Sequence, residues 1–189
     1  MRTLAALIGL SLLAGCAQTG PTASVPTPNL PASLASIITD PARTAINNTA
    51  AVFGNPASVQ GRPIAVAEAI SQLEWLTPEL SNDQRFIGMP PTVAGSVRQG
   101  RDAVREAFGV RPDTSPQAAV NAFDAAAAAY RANDPPGAQT ALAAVTGADG
   151  AARAASLLSA LPRIPQAAAG TSAAVSGLAQ MNERTPPRR

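Results

Sequence analysis

The sequence predicts an all-α protein: a compact bundle of six or seven short, Ala-rich helices behind a disordered, Pro-rich tether. Three observations carry that prediction. Alanine, the strongest helix former, supplies 43 of the 189 residues. Apolar side chains recur at spacings of three and four along most of the chain, and no segment sustains the alternation of a strand. Proline stands repeatedly where a helix would start, with Asp or Ser before it at three of those places.

The elements follow in order. Asp40-Pro41 reads as an N-cap with proline at the first helical position, and the apolar face runs Ala42, Ile46, Thr49, Val52 and Phe53. Gly54 suits a left-handed C-terminal position, with Pro56 beyond. A second segment from Arg62-Pro63 carries Val66, Ile70 and Leu73 on one face and breaks before Pro78, where Thr77-Pro78-Glu79 caps a further short turn. Residues 82–91 read as a loop. Val93, Val97, Gly100, Val104 and Phe108 then form the clearest helical stripe, leaving Arg98, Arg101, Asp102, Arg105 and Glu106 towards solvent. Ser115-Pro116 opens a helix through Val120, Phe123, Ala127 and Tyr130. Asp134-Pro135 opens one through Ala138, Leu142 and Val145 to Gly147. Two more follow, from about Gly150 to Leu161 and from about Pro165 through Ala168, Val175 and Leu178 to Met181.

Composition narrows the chemistry. All 14 basic residues are arginine; lysine and histidine are absent, and Cys16 is the single cysteine. Without histidine there is no Ser-His or Cys-His relay and no imidazole ligand. Without lysine there is neither a Schiff-base amine nor a Walker-type phosphate lysine. One cysteine forms no disulfide within the chain and no thiolate metal cage, so no metal site is expected. A net charge of +2 and 3% aromatic residues argue against a nucleic-acid partner. Sparse large side chains predict a folded but modestly stable bundle.

The beginning of the chain is the most specific part. Arg2 precedes an apolar run from Leu4 to Ala14 interrupted only by Gly9 and Ser11, too short to cross a bilayer and shaped like a secretory signal. It ends in Leu13-Ala14-Gly15-Cys16, which resembles the lipobox of bacterial lipoproteins at all four positions. The resemblance implies cleavage before Cys16 and a diacylglyceryl thioether on its sulfur, with acylation of the freed amine. Ala17, where Asp would signal retention in the inner membrane, implies the outer membrane with the protein facing the periplasm; the alternative is the outer face of the cytoplasmic membrane. No cofactor is expected beyond this covalent lipid. The expected division is a cleaved signal peptide over 1–15, a lipidated Cys16 and flexible tether over 16–39, a helical domain over 40–184 and a disordered tail over 185–189. Pro21, Pro26, Pro28 and Pro31 mark the tether, whose 23 residues after Cys16 would span about 26 Å as a flexible chain and at most about 75 Å.

Candidate sites are few, and no catalytic residue is predicted. Arg98, Arg101 and Arg105 stand at i, i+3 and i+7, so they share a helix face as a candidate contact for an anion or a partner, although Asp102 and Glu106 partly neutralise it. Arg184, Arg188 and Arg189 form a weaker basic tail. Glu79/Asp83 and Asp102/Glu106 are spaced i, i+4, and a carboxylate-dependent cell-wall hydrolase would draw first on Glu68, Glu74, Glu79 and Asp83. Trp75 reads as a packing residue. The sequence therefore favours a non-enzymatic accessory or structural binding module, held to the membrane by acyl chains beside an envelope protein partner. A carrier or sensor of a small apolar or lipidic ligand is the alternative.

Overall fold

The structure, a computed structural model, describes residues 25–37 and 39–184. The lipobox, Leu13 to Cys16, and the arginines Arg188 and Arg189 lie outside the described residues. Within them the chain forms seven helices and no strand: α1 (Pro41–Gly54), α2 (Pro63–Asn82), α3 (Pro91–Phe108), α4 (Pro116–Arg131), α5 (Pro135–Thr146), α6 (Ala148–Ser159) and α7 (Pro165–Arg184). All but α6 begin with proline, whose missing N–H falls where a helix has no partner for it. The side chains of Asp40, Ser115 and Asp134 accept from the backbone N–H of Arg43, Ala118 and Gly137, capping α1, α4 and α5 as their sequence positions predict.

Helix α2 is the centre of the bundle, packed on α1, α3, α4 and α6. It is buried nearly all round, from Val66 to Leu80. This explains one departure from expectation. Pro78 does not break the helix, which continues to Asn82. Proline in a helix interior is unfavourable by about 3 kcal/mol. Here Trp75, Leu76 and Leu80 pack on both sides of it, and burial of those side chains carries the helix through. Gly54 departs as well: it is the last residue of α1, and Asn55, with φ −137°, ends the helix. A left-handed glycine closes α3 instead: Gly109, at φ +69°. The stretch over 82–91 is no open loop, since Gln84–Phe86 forms a 3-10 turn and Phe86 and Met89 are buried.

The α3 stripe faces inward as predicted, with Phe108 meeting Phe123 of α4 edge to face at 6.0 Å. Opposite it, α7 buries Ala167, Gly170, Thr171, Ala174, Gly177 and Leu178, and leaves Val175 exposed. The reason is proximity. A Cβ on Gly100 would stand 3.0 Å from the Cα of Ala167, and one on Gly170 would meet the Ser96 carbonyl. Backbones this close admit glycine and alanine and turn valine outward.

The expected tether is corrected over its second half. Residues 25–37 lie against the bundle as a strap, with Leu34 fully buried and Pro28 and Pro31 buried beside it. Its backbone N–H groups at Asn29 and Ala32 donate to Gln117 Oε1 and Asp124 Oδ2 of α4, each at 2.7 Å. Asn82 Nδ2, at the end of α2, donates to the Val25 carbonyl at 2.9 Å. Extended proline segments lack internal hydrogen bonds, so polar side chains of neighbouring helices supply them.

Candidate functional site

The most constrained polar group in the molecule joins α2 to α3. Glu74 sits in the middle of a helix that is buried on all sides, and its side chain is 1% exposed. Arg105 follows Val104 of the buried stripe, which places it on the flank of α3 nearest α2. Its Nε and Nη2 donate to the two oxygens of Glu74, each at 2.6 Å, and Nη1 donates to the Thr114 carbonyl at 2.8 Å. One guanidinium thus fixes α2, α3 and the turn after α3 in a single planar fork.

Burial pushes the Glu74 carboxyl above its ordinary 4.5, against the hydrogen bonds and charge of Arg105 and the charge of Arg101. For Arg105 burial works against the charge, but the hydrogen bonds and charge of Glu74, with Asp102, outweigh it and raise its pKa. A pair so enclosed is a structural clamp; both Glu74 oxygens are already occupied by hydrogen bonds.

The predicted arginine face divides. Arg105 turns inward to Glu74, correcting its expected solvent position. Arg101, its side chain only 15% exposed, folds onto Asp102 at 2.6 Å. These two line an open cleft of about 560 Å³ at the C-terminal end of α3, together with Glu106, Val110 and Arg111. Arg111 Nη2 in turn donates to the Ala144 carbonyl at 2.9 Å. Arg98 lies elsewhere. It is exposed and lines a separate cleft of about 330 Å³ with Phe86, Met89 and Pro90. The spacing of the three arginines is helical as predicted, but they form no common contact.

The four candidate carboxylates also hold arginines, three in all. Glu68 pairs with Arg131, and Glu74 with Arg105. Glu79 and Asp83 share Arg85, at 2.8 Å each, while Arg85 lies over the Phe86 ring. Burial and the neighbouring Asp83 raise the Glu79 pKa, with Arg85 opposing; the Arg85 backbone N–H, foremost, lowers that of Asp83. Trp75 is a buried packing residue. Arg184 reaches the Gly88 carbonyl at 3.5 Å.

Two polar positions escape sequence reasoning. Asp124 accepts from Ala32 N of the strap and from Ser71 Oγ of α2, at 2.7 and 2.6 Å, although it reads as an ordinary surface residue of α4. The Glu74–Arg105 union escapes too, but a signal exists: Glu74 stands beside Leu73, Trp75 and Leu76, and a charge inside so apolar a run calls for a buried partner. Compared with known protein families, curated proteins and solved structures, the chain finds no match in any of the three. Fold and side chains together define an all-α helical bundle braced by arginine–carboxylate pairs, of which Glu74–Arg105 is buried.

Proposed function

We propose that the chain is a bacterial lipoprotein of the outer membrane, facing the periplasm, whose helical domain is a non-enzymatic accessory or structural binding module for an envelope protein assembly. One observation carries the reading: Cys16 stands at the end of a short apolar run, in Leu13-Ala14-Gly15-Cys16. A thiol at that place is what attachment by acyl chains requires, and two or three such chains hold a protein on a bilayer essentially permanently. Two further observations support it. No helix among the described residues is long and apolar enough to cross a membrane. Of the two carboxylate pairs spaced i, i+4, Glu79 and Asp83 share one arginine and act as a brace at the end of α2.

Confinement to a surface raises the effective concentration towards partners in the same envelope, so a small interface suffices. The test is mass spectrometry of the membrane-extracted protein, with in-cell crosslinking of a tagged copy beside Cys16→Ser. Acyl mass on Cys16, and one envelope protein captured only by the anchored form, is the expected outcome. A free Cys16 thiol overturns the lipoprotein reading. A co-purifying lipid or small molecule without any crosslinked protein overturns the accessory reading in favour of a carrier.

A further inference from the structure

The two most exposed large apolar side chains among the described residues are Ile87, 89% exposed, and Val25, 49% exposed. Val25 lies beside Asn82, which ends α2 and whose amide holds the Val25 carbonyl, and Ile87 tips the turn that follows α2. That turn is no frayed loop, because the residues on either side of its tip, Phe86 and Met89, are buried. A packed turn that holds an isoleucine out into water exposes apolar area the fold does not need. The end of α7 arrives here as well, with Arg184 on the Gly88 carbonyl. Arg98, exposed and without an ion pair among the described residues, lines the adjoining cleft beside Phe86 and Met89.

Chain length says what faces this end. Nine peptide steps separate Cys16 from Val25 and span at most about 30 Å, close to the length of α2 or α7 at about 1.5 Å per residue. The docked strap therefore brings the Ile87 turn nearest to whatever holds Cys16, while the opposite end of the bundle reaches that surface only with the leash drawn out.

We propose that this end of the bundle is a membrane contact: in the anchored protein Ile87 and Val25 enter the headgroup layer of the bilayer, and Arg98 reaches lipid phosphate from the cleft rim. The proposal rests on acylation of Cys16. Around the turn, Asp40, Glu79 and Asp83 are nearly balanced by Arg43, Arg85, Arg98 and Arg184, so the contact is apolar first and salt weakens only the Arg98 part of it. One isoleucine and one valine are too small an apolar area to hold a protein on a bilayer, so the contact orients an anchored domain and does not recruit a free one.

The test uses the full acylated protein carrying Ile87→Cys, labelled with an environment-sensitive fluorophore and reconstituted on phospholipid vesicles. An acylated Cys16 has no free thiol, so position 87 is the single labelled site. Asp113→Cys, beyond the opposite end of α3, is the reference. The expected result is blue-shifted emission at 87, quenched by lipids spin-labelled near the headgroup and largely retained in added salt, with water-like emission at 113. Cys16→Ser protein carrying the label at 87 gives water-like emission with the same vesicles. Acyl mass on Cys16 with water-like emission at 87, or equal quenching at both positions, overturns this contact and leaves the lipoprotein reading intact. Absence of acyl mass overturns both.

Discussion

Helix α3 meets its two principal neighbours by opposite means. Towards α7 it offers almost no side chain: Gly100 lies against the backbone of Gln166 and Ala167, and Gly170 against that of Ser96 and Val97. Towards α2 it offers one of the longest, the Arg105 guanidinium, which closes on buried Glu74. The first contact gains dispersion by close approach and orders no rotamers. The second bridges a gap that small residues would leave empty, and it takes two charges out of water to do so. Intolerance takes a different form in each. The glycine seam resists anything added, whereas the ion pair resists the loss of either partner alone.

The largest expected effect is therefore at the ion pair. Arg105→Ala leaves Glu74 charged, buried and unpaired, and is expected to lower stability in urea unfolding by about 3–5 kcal/mol. Glu74→Leu with Arg105→Leu removes both charges and is expected to recover most of that loss. A double variant as unstable as the single one would show that the fork, through its bond to Thr114, supports the fold beyond the charge pair. Titration sharpens the point. Burial raises the Glu74 pKa above 4.5, so the folded protein holds this proton more tightly than the unfolded chain does. Its contribution to stability is fully present below 4.5 and is lost as pH rises through the raised value. Acidification from neutral pH to below 4.5 is expected to shift the stability difference between wild type and Glu74→Gln in favour of wild type. The opposite shift would mean that the charge of Arg105 outweighs burial.

At the glycine seam, Gly170→Ala comes next. The added methyl meets the Ser96 carbonyl carbon at 2.9 Å and the Val97 Cα at 3.1 Å, both of them backbone, so a whole helix has to move. About 2–3 kcal/mol of destabilisation is expected in thermal or urea unfolding. Gly100→Ala, whose contacts begin at 3.0 Å, is expected to lose about half of that. Equal stability of Gly170→Ala and wild type would contradict the close approach of α3 and α7.

What could be read from the sequence divides along the same line. Helix starts at Asp40, Ser115 and Asp134 are local: each depends on residues within one turn, and each stands where the sequence predicts it, whereas the left-handed stop expected at Gly54 falls instead at Gly109 of another helix. The α3 stripe was legible because valine and phenylalanine announce burial by size. The α7 face was not, because its contact is made by Ala167, Gly170 and Ala174, while Val175, the most conspicuous residue, faces water. Pro78 misled because the packing that carries α2 through it comes from helices distant in sequence. At the candidate site, spacing placed Arg98, Arg101 and Arg105 along one helix. It could not show that Arg105 turns from solvent to close on a carboxylate 31 residues away.

The strap lies between these two kinds of contact. Leu34 fills a hole as core residues do, while Asp124 and Gln117 satisfy its backbone as caps do. Proline-rich composition alone argued for a free linker, and the single buried leucine decides otherwise. Leu34→Ala is expected to lower stability by about 2 kcal/mol, at the low end for a buried leucine because the strap ends near the surface and can settle. A hydrogen-exchange experiment on the same variant should show faster exchange at Asn29 and Ala32, whose N–H groups depend on the strap staying docked. Unchanged stability and exchange would return residues 25–37 to the status of a tether.

The smallest effect has the opposite sign and isolates the cause. Gly95 belongs to the same helix as Gly100, five residues earlier, and a Cβ there meets nothing within 4 Å. Glycine in a helix interior is worse than alanine by about 0.5–1 kcal/mol, through the extra freedom it gives the unfolded chain. Gly95→Ala is therefore expected to stabilise the protein by that amount, measured beside Gly100→Ala under identical conditions. Two identical substitutions on one helix would then move stability in opposite directions, and only the neighbour at 3.0 Å distinguishes them. If both destabilise, a restraint on α3 other than contact with α7 is at work, and the account of the seam as a steric limit fails.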